Sequence, residues 1–176
     1  MPAKPLSVCE RFNLQAKRAD WPSRCDDTLA FDNARLKDLV GVWQAARGAR
    51  DLPMRVDFSA RALIRHLRDI AFQELIQEPG APRRFRFGFF GSALAHYAGD
   101  CTGKSLDEII PAQHIASWYG SYDAAFEQRA PLRFVSQFRS LNLDYLTAES
   151  FIAPLGDAGG VPCGLLTSVA YTPRVS

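Results

Sequence analysis

The side chains that could carry out chemistry are few and lie apart in the sequence. His66, His96 and His114 stand outside any serine, cysteine or carboxylate spacing that is typical of a nucleophilic triad. Asp107 and Glu108 are neighbours, so in a helix their carboxylates point in different directions and cannot share a proton. These patterns favour structural histidines and helix-start charges over catalytic groups.

The sequence also lacks the residue spacings that are typical of nucleotide-binding and metal-binding sites. Gly99 precedes Lys104, but the rest of a phosphate-binding loop is missing. A zinc site usually takes two ligands from one short turn. The cysteines are instead spread along the chain, at Cys9, Cys25, Cys101 and Cys163. We therefore expect no metal site, and scattered cysteines favour a reducing compartment such as the cytoplasm.

Aromatic side chains are the most informative set of residues. Most of them should fill a core, because burying each large ring stabilises a fold by roughly 2–3 kcal/mol. Apolar ligand pockets are lined by the same residue types, with a few polar tips that orient the ligand. We predict such a cavity, lined by Phe87, Tyr97, Trp118, Tyr122 and Phe134.

The length and composition of the chain are those of a single globular domain with a small net charge. The 176 residues are enough for one core, and 47% of them are hydrophobic. The formal net charge of +2 gives no general reason to bind nucleic acid or anionic lipid. No apolar run approaches the roughly 20 residues of a membrane span, and residues 1–27 lack the continuous apolar core of a signal peptide. We expect a cytoplasmic protein with no nucleic-acid or membrane partner.

The elements that must position these side chains begin near residue 32. Residues 1–31 contain three prolines and no sustained period, which predicts a flexible arm before a domain at 32–176. A helix follows, and its apolar face consists of Leu36, Leu39, Val40 and Trp43. This stripe could form a homodimer interface, or it could equally pack on a sheet within one chain.

Runs with a period of two predict five strands, at residues 70–77, 84–91, 132–139, 146–155 and 161–171. Between the second and third strands the period becomes helical, and the longest helix carries Ile115, Trp118, Tyr122 and Phe126 on one side. Short turns join most of these strands. The pattern therefore predicts an α+β fold, with one antiparallel sheet and helices on one of its faces.

The order of these elements, with particular residues, resembles the PAS superfamily, and more closely a bacterial single-domain branch of it, over roughly residues 36–171. The first part of the signature reads Trp43, Arg47, Gly48, Arg50, Pro53, Arg55 and Asp57. The second part reads Phe85-Arg86-Phe87, Gly91, Asp100-Cys101-Thr102-Gly103 and Leu106-Asp107-Glu108. The resemblance implies a PAS-like fold with a flanking N-terminal helix. His96 is the histidine that falls where PAS-like domains shape a ligand cavity.

The resemblance also implies a sensory or interaction domain, not an enzyme. We expect a small apolar ligand or a partner helix to bind between the sheet and the helix at 115–126, with a signal delivered in trans to a protein partner or through a homodimer. The sequence does not identify a cofactor. Two alternatives remain: a ligand-free structural adaptor, and a cone-shaped α+β enzyme with Asp100 or Asp144 as a buried base.

Overall fold

The computed structural model of the chain describes residues 4–137 and 146–173. Its helices are α1 (Val8–Arg18), α2 (Ala34–Arg47), α3 (Ala60–Leu63), α4 (Ser92–Ala98), α5 (Leu106–Ile109) and α6 (Ala112–Gln128), with a short 3-10 helix at Arg55–Asp57. Its strands are β1 (Ser23–Asp26), β2 (Ile70–Ile76), β3 (Arg84–Phe90), β4 (Leu132–Gln137), β5 (Leu146–Gly156) and β6 (Pro162–Pro173).

These six strands form one antiparallel sheet in the order β1-β4-β5-β6-β2-β3. The five predicted strands correspond to β2–β6, with ends that differ by no more than two residues; residues 138 and 139 lie outside the described residues. The expected number of five strands is wrong, because β1 pairs with β4 at the edge of the sheet. Its four residues carry too little hydrophobic pattern to predict a strand.

The N-terminal segment packs on the sheet. Ser7 and Glu10 form a capping box that starts α1, and α1 buries Phe12 against Phe134 of β4 with their ring centroids 5.1 Å apart. Trp21 then lies beside Gly120 of α6, where a β-carbon would come within 2.7 Å of the indole. The expectation of a flexible arm is therefore wrong for residues 8–26, because their apolar side chains cover part of the sheet.

Helices cover both faces of the sheet. The inner face carries α1, α4, α5 and α6, and the outer face carries α2 and the segment that follows it. The expectation of helices on one face is wrong because the central strands are apolar on both sides: in β2, Ala71 faces the inner cluster while Ile70 and Phe72 face the outer one. Such a strand needs cover on each face.

The predicted apolar stripe of α2 lies in the core of the same chain. Leu36 and Leu39 are each 1% exposed, Trp43 is 2% exposed and Val40 is half-buried. The indole Nε1 of Trp43 donates a hydrogen bond of 2.9 Å to the carbonyl oxygen of Pro154 in β5. These contacts match the intramolecular alternative, and a dimer through this stripe would require α2 to leave the sheet.

The Arg-x-Asp part of the signature holds the connector after α2. The Asp57 carboxylate accepts a hydrogen bond of 2.6 Å from the Met54 N–H and pairs with Arg50 at 2.7 Å. The Arg55 guanidinium lies over the Phe72 ring, 3.7 Å from its centroid. These residues fix the connector to the outer face.

Candidate ligand-binding site

Four of the five predicted ligand-binding residues line one cavity, which we call the main cavity. It has a volume of about 250 Å³ and lies between the inner face of the sheet and helices α4–α6. Its lining consists of Ala71, Gln73, Phe87, Phe90, Leu94, Tyr97, Ala98, Cys101, Leu106, Ile109, Ile110, Trp118, Tyr122, Ser150, Ile152, Thr167, Ser168, Val169 and Tyr171. The structure thus brings Phe87, Tyr97, Trp118 and Tyr122 together.

Two elements position the aromatic walls of this cavity. Trp118 and Tyr122 lie one turn apart on α6, so both rings face the sheet, with centroids 6.3 Å apart. Phe87 is held from the other side by the Asp-x-x-Gly turn, because its N–H donates to the Lys104 carbonyl and its own carbonyl accepts from the Gly103 N–H at 2.7 Å. Gly103 has a φ of 82°, which favours glycine at this point.

The fifth predicted residue, Phe134, lines a different space. This side cavity has a volume of about 110 Å³ and lies toward β1 and β4. Its own lining includes Phe134, His114 and Ala148, and it shares Ile110, Trp118, Ser150, Ile152, Val169 and Tyr171 with the main cavity. Trp118 therefore contacts both spaces, while Phe134 lies outside the main one.

Two polar groups in the main cavity are buried and have no hydrogen-bond partner within residues 4–137 and 146–173. They are the Oε1 of Gln73, a residue 2% exposed, and the hydroxyl of Tyr122, which is fully buried. Burial raises the pKa of Tyr122, and a weak hydrogen-bond-type interaction with the Gln73 side chain acts to lower it. The two groups are thus neighbours, but they lack the geometry of a hydrogen bond. The hydroxyl remains protonated at neutral pH.

Tyr97 and Tyr171 separate the main cavity from solvent. Their ring centroids lie 4.5 Å apart, and Tyr97 is 48% exposed while it also lines the cavity. Burial, together with the neighbouring Tyr97, raises the pKa of Tyr171 to about 12. Tyr97 therefore lies where the main cavity reaches the surface of the protein.

The other residues considered for chemistry lie elsewhere. His96 is exposed on α4 and does not line either cavity. Asp100 is also exposed, and hydrogen bonds from Thr102 lower its pKa, which is the opposite of what a buried base requires. Asp144 lies outside the described residues. Within residues 4–137 and 146–173, no three or more metal-binding side chains cluster.

Sequence reasoning missed Gln73 and Thr167 as cavity residues. The Gln73 Nε2 donates to the Thr167 hydroxyl at 3.3 Å, across the β2–β6 pair. The available signal was a glutamine on the same side of β2 as Ala71, where the alternation calls for an apolar side chain. A buried polar residue in such a position is more informative than another buried aromatic ring.

A comparison with protein families gives the class of the chain. The family model of the PAS domain matches residues 31–169, and the chain belongs to the PAS domain family. The matched range begins after β1, so α1 and β1 precede it. No curated protein matches the chain. Among the helices of the described residues, none combines the length and the hydropathy that a bilayer crossing needs.

Proposed function

We propose that this PAS domain is a sensory module that binds a small, weakly polar ligand in the main cavity and signals in trans to a protein partner. The observation that carries the proposal is a mostly apolar cavity of about 250 Å³ between the sheet and helices α4–α6, which brings together four of the predicted residues. Family membership supports a sensory or interaction role. The cysteines are free thiols, although the Sγ atoms of Cys9 and Cys25 lie 2.6 Å apart, and free thiols support a cytoplasmic location.

Strand β5 offers a route from the ligand to the opposite face. Its side chains alternate, so Ser150 and Ile152 line the main cavity while Phe151 and Ala153 pack in the cluster beneath α2. A ligand that displaces the inward residues would move the strand to which Trp43 of α2 is hydrogen-bonded. We propose that a partner protein, or a second copy of the chain, binds the exposed polar side of α2.

Two buried alanines allow a matched test of the cavity. Ala71 lines the main cavity and Ala148 lines the side cavity, and each is 1% exposed on an inner-face strand. We expect Ala71→Leu to fill the main cavity and abolish ligand binding, while Ala148→Leu retains it. Thermal shift is the measurement, because a ligand at 100 times its dissociation constant stabilises a fold by about 2.7 kcal/mol.

Native mass spectrometry of the purified chain complements that screen, since one spectrum reports a retained ligand and the oligomeric state. Binding that survives in Ala71→Leu would place the ligand elsewhere. If the wild-type chain carries no ligand and no metabolite raises its melting temperature, the sensory proposal fails and a ligand-free adaptor takes its place.

A further inference from the structure

The main cavity contains an unusual pair of polar groups. Gln73 Oε1 and the Tyr122 hydroxyl belong to different elements, β2 and α6, yet both line the same space, and neither has a partner in the part of the chain that the structure describes. Buried polar side chains nearly always have a hydrogen-bond partner, so two orphans at one cavity need an explanation. A bound molecule that forms hydrogen bonds with both Gln73 Oε1 and the Tyr122 hydroxyl would provide one.

The fold fixes this pair in place. The Gln73 Nε2 is engaged by Thr167, so the amide presents its oxygen as the free end. The Tyr122 ring is held edge-on against Phe85, with centroids 4.9 Å apart, which limits how the hydroxyl can move. Each group is therefore aimed by its neighbours, as a binding site requires.

The rest of the lining restricts the charge of the ligand. None of the described residues that line the main cavity is aspartate, glutamate, lysine, arginine or histidine. An ionised ligand group would be buried there without a counter-charge, which is strongly unfavourable. The ligand must therefore be neutral where it meets Gln73 and Tyr122.

The size and walls of the cavity restrict the shape of the ligand. A volume of about 250 Å³ lies below the ~300–1,000 Å³ of pockets for drug-sized molecules, so the occupant is a small one. Phe87, Phe90 and Trp118 supply aromatic walls, and Phe87 and Phe90 lie edge to face at 5.1 Å. Such walls favour a flat ring by offset and edge contacts.

We propose that the main cavity recognises a small neutral phenol through Gln73 and Tyr122. The phenol hydroxyl donates to Gln73 Oε1 and accepts from the Tyr122 hydroxyl, while the ring lies among Phe87, Phe90 and Trp118. A hydroxyl suits this pair because it both donates and accepts, and so it satisfies the amide whichever end is turned inward. This inference rests on the proposed function, since it names the ligand class of the same cavity.

The test compares three probes of similar shape on the whole chain: 4-ethylphenol, ethylbenzene and 4-ethylbenzoate. Isothermal titration calorimetry should show that 4-ethylphenol binds about tenfold more tightly than ethylbenzene, as expected for one or two well-made hydrogen bonds. 4-Ethylbenzoate should not bind at neutral pH. Tyr122→Phe and Gln73→Met should each reduce the preference for the phenol to near parity, without weakening ethylbenzene.

Tyr119→Phe is the matched control for the hydroxyl. Tyr119 lies on the same helix, but its hydroxyl donates to the Arg83 carbonyl and it does not line the main cavity. This variant should keep the tenfold preference. Tyr122→Phe should also fold as well as wild type without ligand, because it removes an unsatisfied buried group. A loss of unliganded stability would show an internal partner for the hydroxyl and overturn the proposal.

Two further outcomes separate this inference from the proposed function. If ethylbenzene or 4-ethylbenzoate binds as tightly as the phenol, and Ala71→Leu blocks that binding, the cavity is a ligand site and only the phenol class is wrong. If no probe binds and native mass spectrometry finds no retained molecule, both proposals fail. A phenol preference that Tyr122→Phe leaves unchanged would also refute the role of the polar pair.

Discussion

The two faces of the sheet bury similar side chains, but they differ in where their buried polar groups lie relative to the main cavity. On the outer face, the Trp43 indole donates to the Pro154 carbonyl, and Glu149 of β5 accepts from two backbone N–H groups and from Arg133. The buried Arg47 Nε and His66 Nδ1 have no partner among the described residues, but neither atom belongs to a residue that lines the main cavity. On the inner face, Gln73 Oε1 and the Tyr122 hydroxyl line one cavity together, and neither has a hydrogen-bond partner among the described residues. Burial alone does not distinguish a core from a site, whereas two unpaired polar groups that share one cavity point to a site.

The tryptophans of α2 and α6 provide the strongest test of this contrast. Trp43 fills the outer core and is 2% exposed, while Trp118 is half-buried between two cavities. We expect Trp43→Ala to cost about 4 kcal/mol of unfolding free energy and roughly 10 °C in melting temperature. Trp118→Ala should cost about 1.5 kcal/mol and should change the response to ligand. Chemical denaturation measures both.

The same variants test the role of the α2 stripe. With Trp43 in the intramolecular core, its replacement should leave the apparent mass in solution unchanged while stability falls. A lower apparent mass for Trp43→Ala, measured by size-exclusion chromatography with light scattering, would instead show that the stripe supports self-association. Equal stability losses at positions 43 and 118 would contradict the contrast between the faces.

The sequence predicted the positions of β2–β6 well, and four of the five predicted ligand-binding residues line one cavity. Period-two runs place β2–β6 because each strand has a face that must avoid water. Cover on both faces could not be inferred, since an apolar residue does not reveal which element packs on it. Phe134 illustrates the limit: it packs against Phe12 of α1, a helix in a segment that shows no sustained hydrophobic period. Unpaired groups such as Gln73 Oε1 appear only in three dimensions.

The buried carboxylate of the outer face gives a pH-dependent test. Burial works to raise the pKa of Glu149, but the N–H groups of Asp32 and Asn33 and the Arg133 guanidinium outweigh it, so its pKa lies below the ordinary 4.5. The stability this gives is present above pH 4.5 and is lost as the pH falls through the folded-state pKa. Glu149→Gln should cost about 2 kcal/mol at pH 7, because it removes the charge that accepts from Arg133 at 2.7 Å and from two backbone N–H groups, while Arg133 keeps its pair with Asp26.

Denaturation curves from pH 7 to pH 3 measure this effect. The difference between wild type and Glu149→Gln should narrow below pH 4.5, where the wild-type carboxylate becomes protonated. Glu127→Gln is the control, because Glu127 pairs with Arg11 on the surface with 59% of its side chain exposed, and such pairs contribute little. A constant difference across the whole pH range would show that the Glu149 charge does not stabilise the outer face.

Two helical glycines give the smallest and most closely matched effect. At Gly41 of α2, no atom of the described residues lies within 4 Å of the place where a β-carbon would be added. At Gly120 of α6, that carbon would approach the Trp21 ring to 2.7 Å. Gly41→Ala should therefore stabilise the fold by about 0.5–1 kcal/mol, the usual gain in helix propensity. Gly120→Ala should lower the free energy of unfolding by about 1 kcal/mol, because displacing Trp21 outweighs the same gain in helix propensity.

Tryptophan fluorescence should shift toward a more polar environment in Gly120→Ala alone. Equal stabilisation by both substitutions would mean that Trp21 does not hold the N-terminal segment on α6, and the close packing assigned to that end of the inner face would then be wrong.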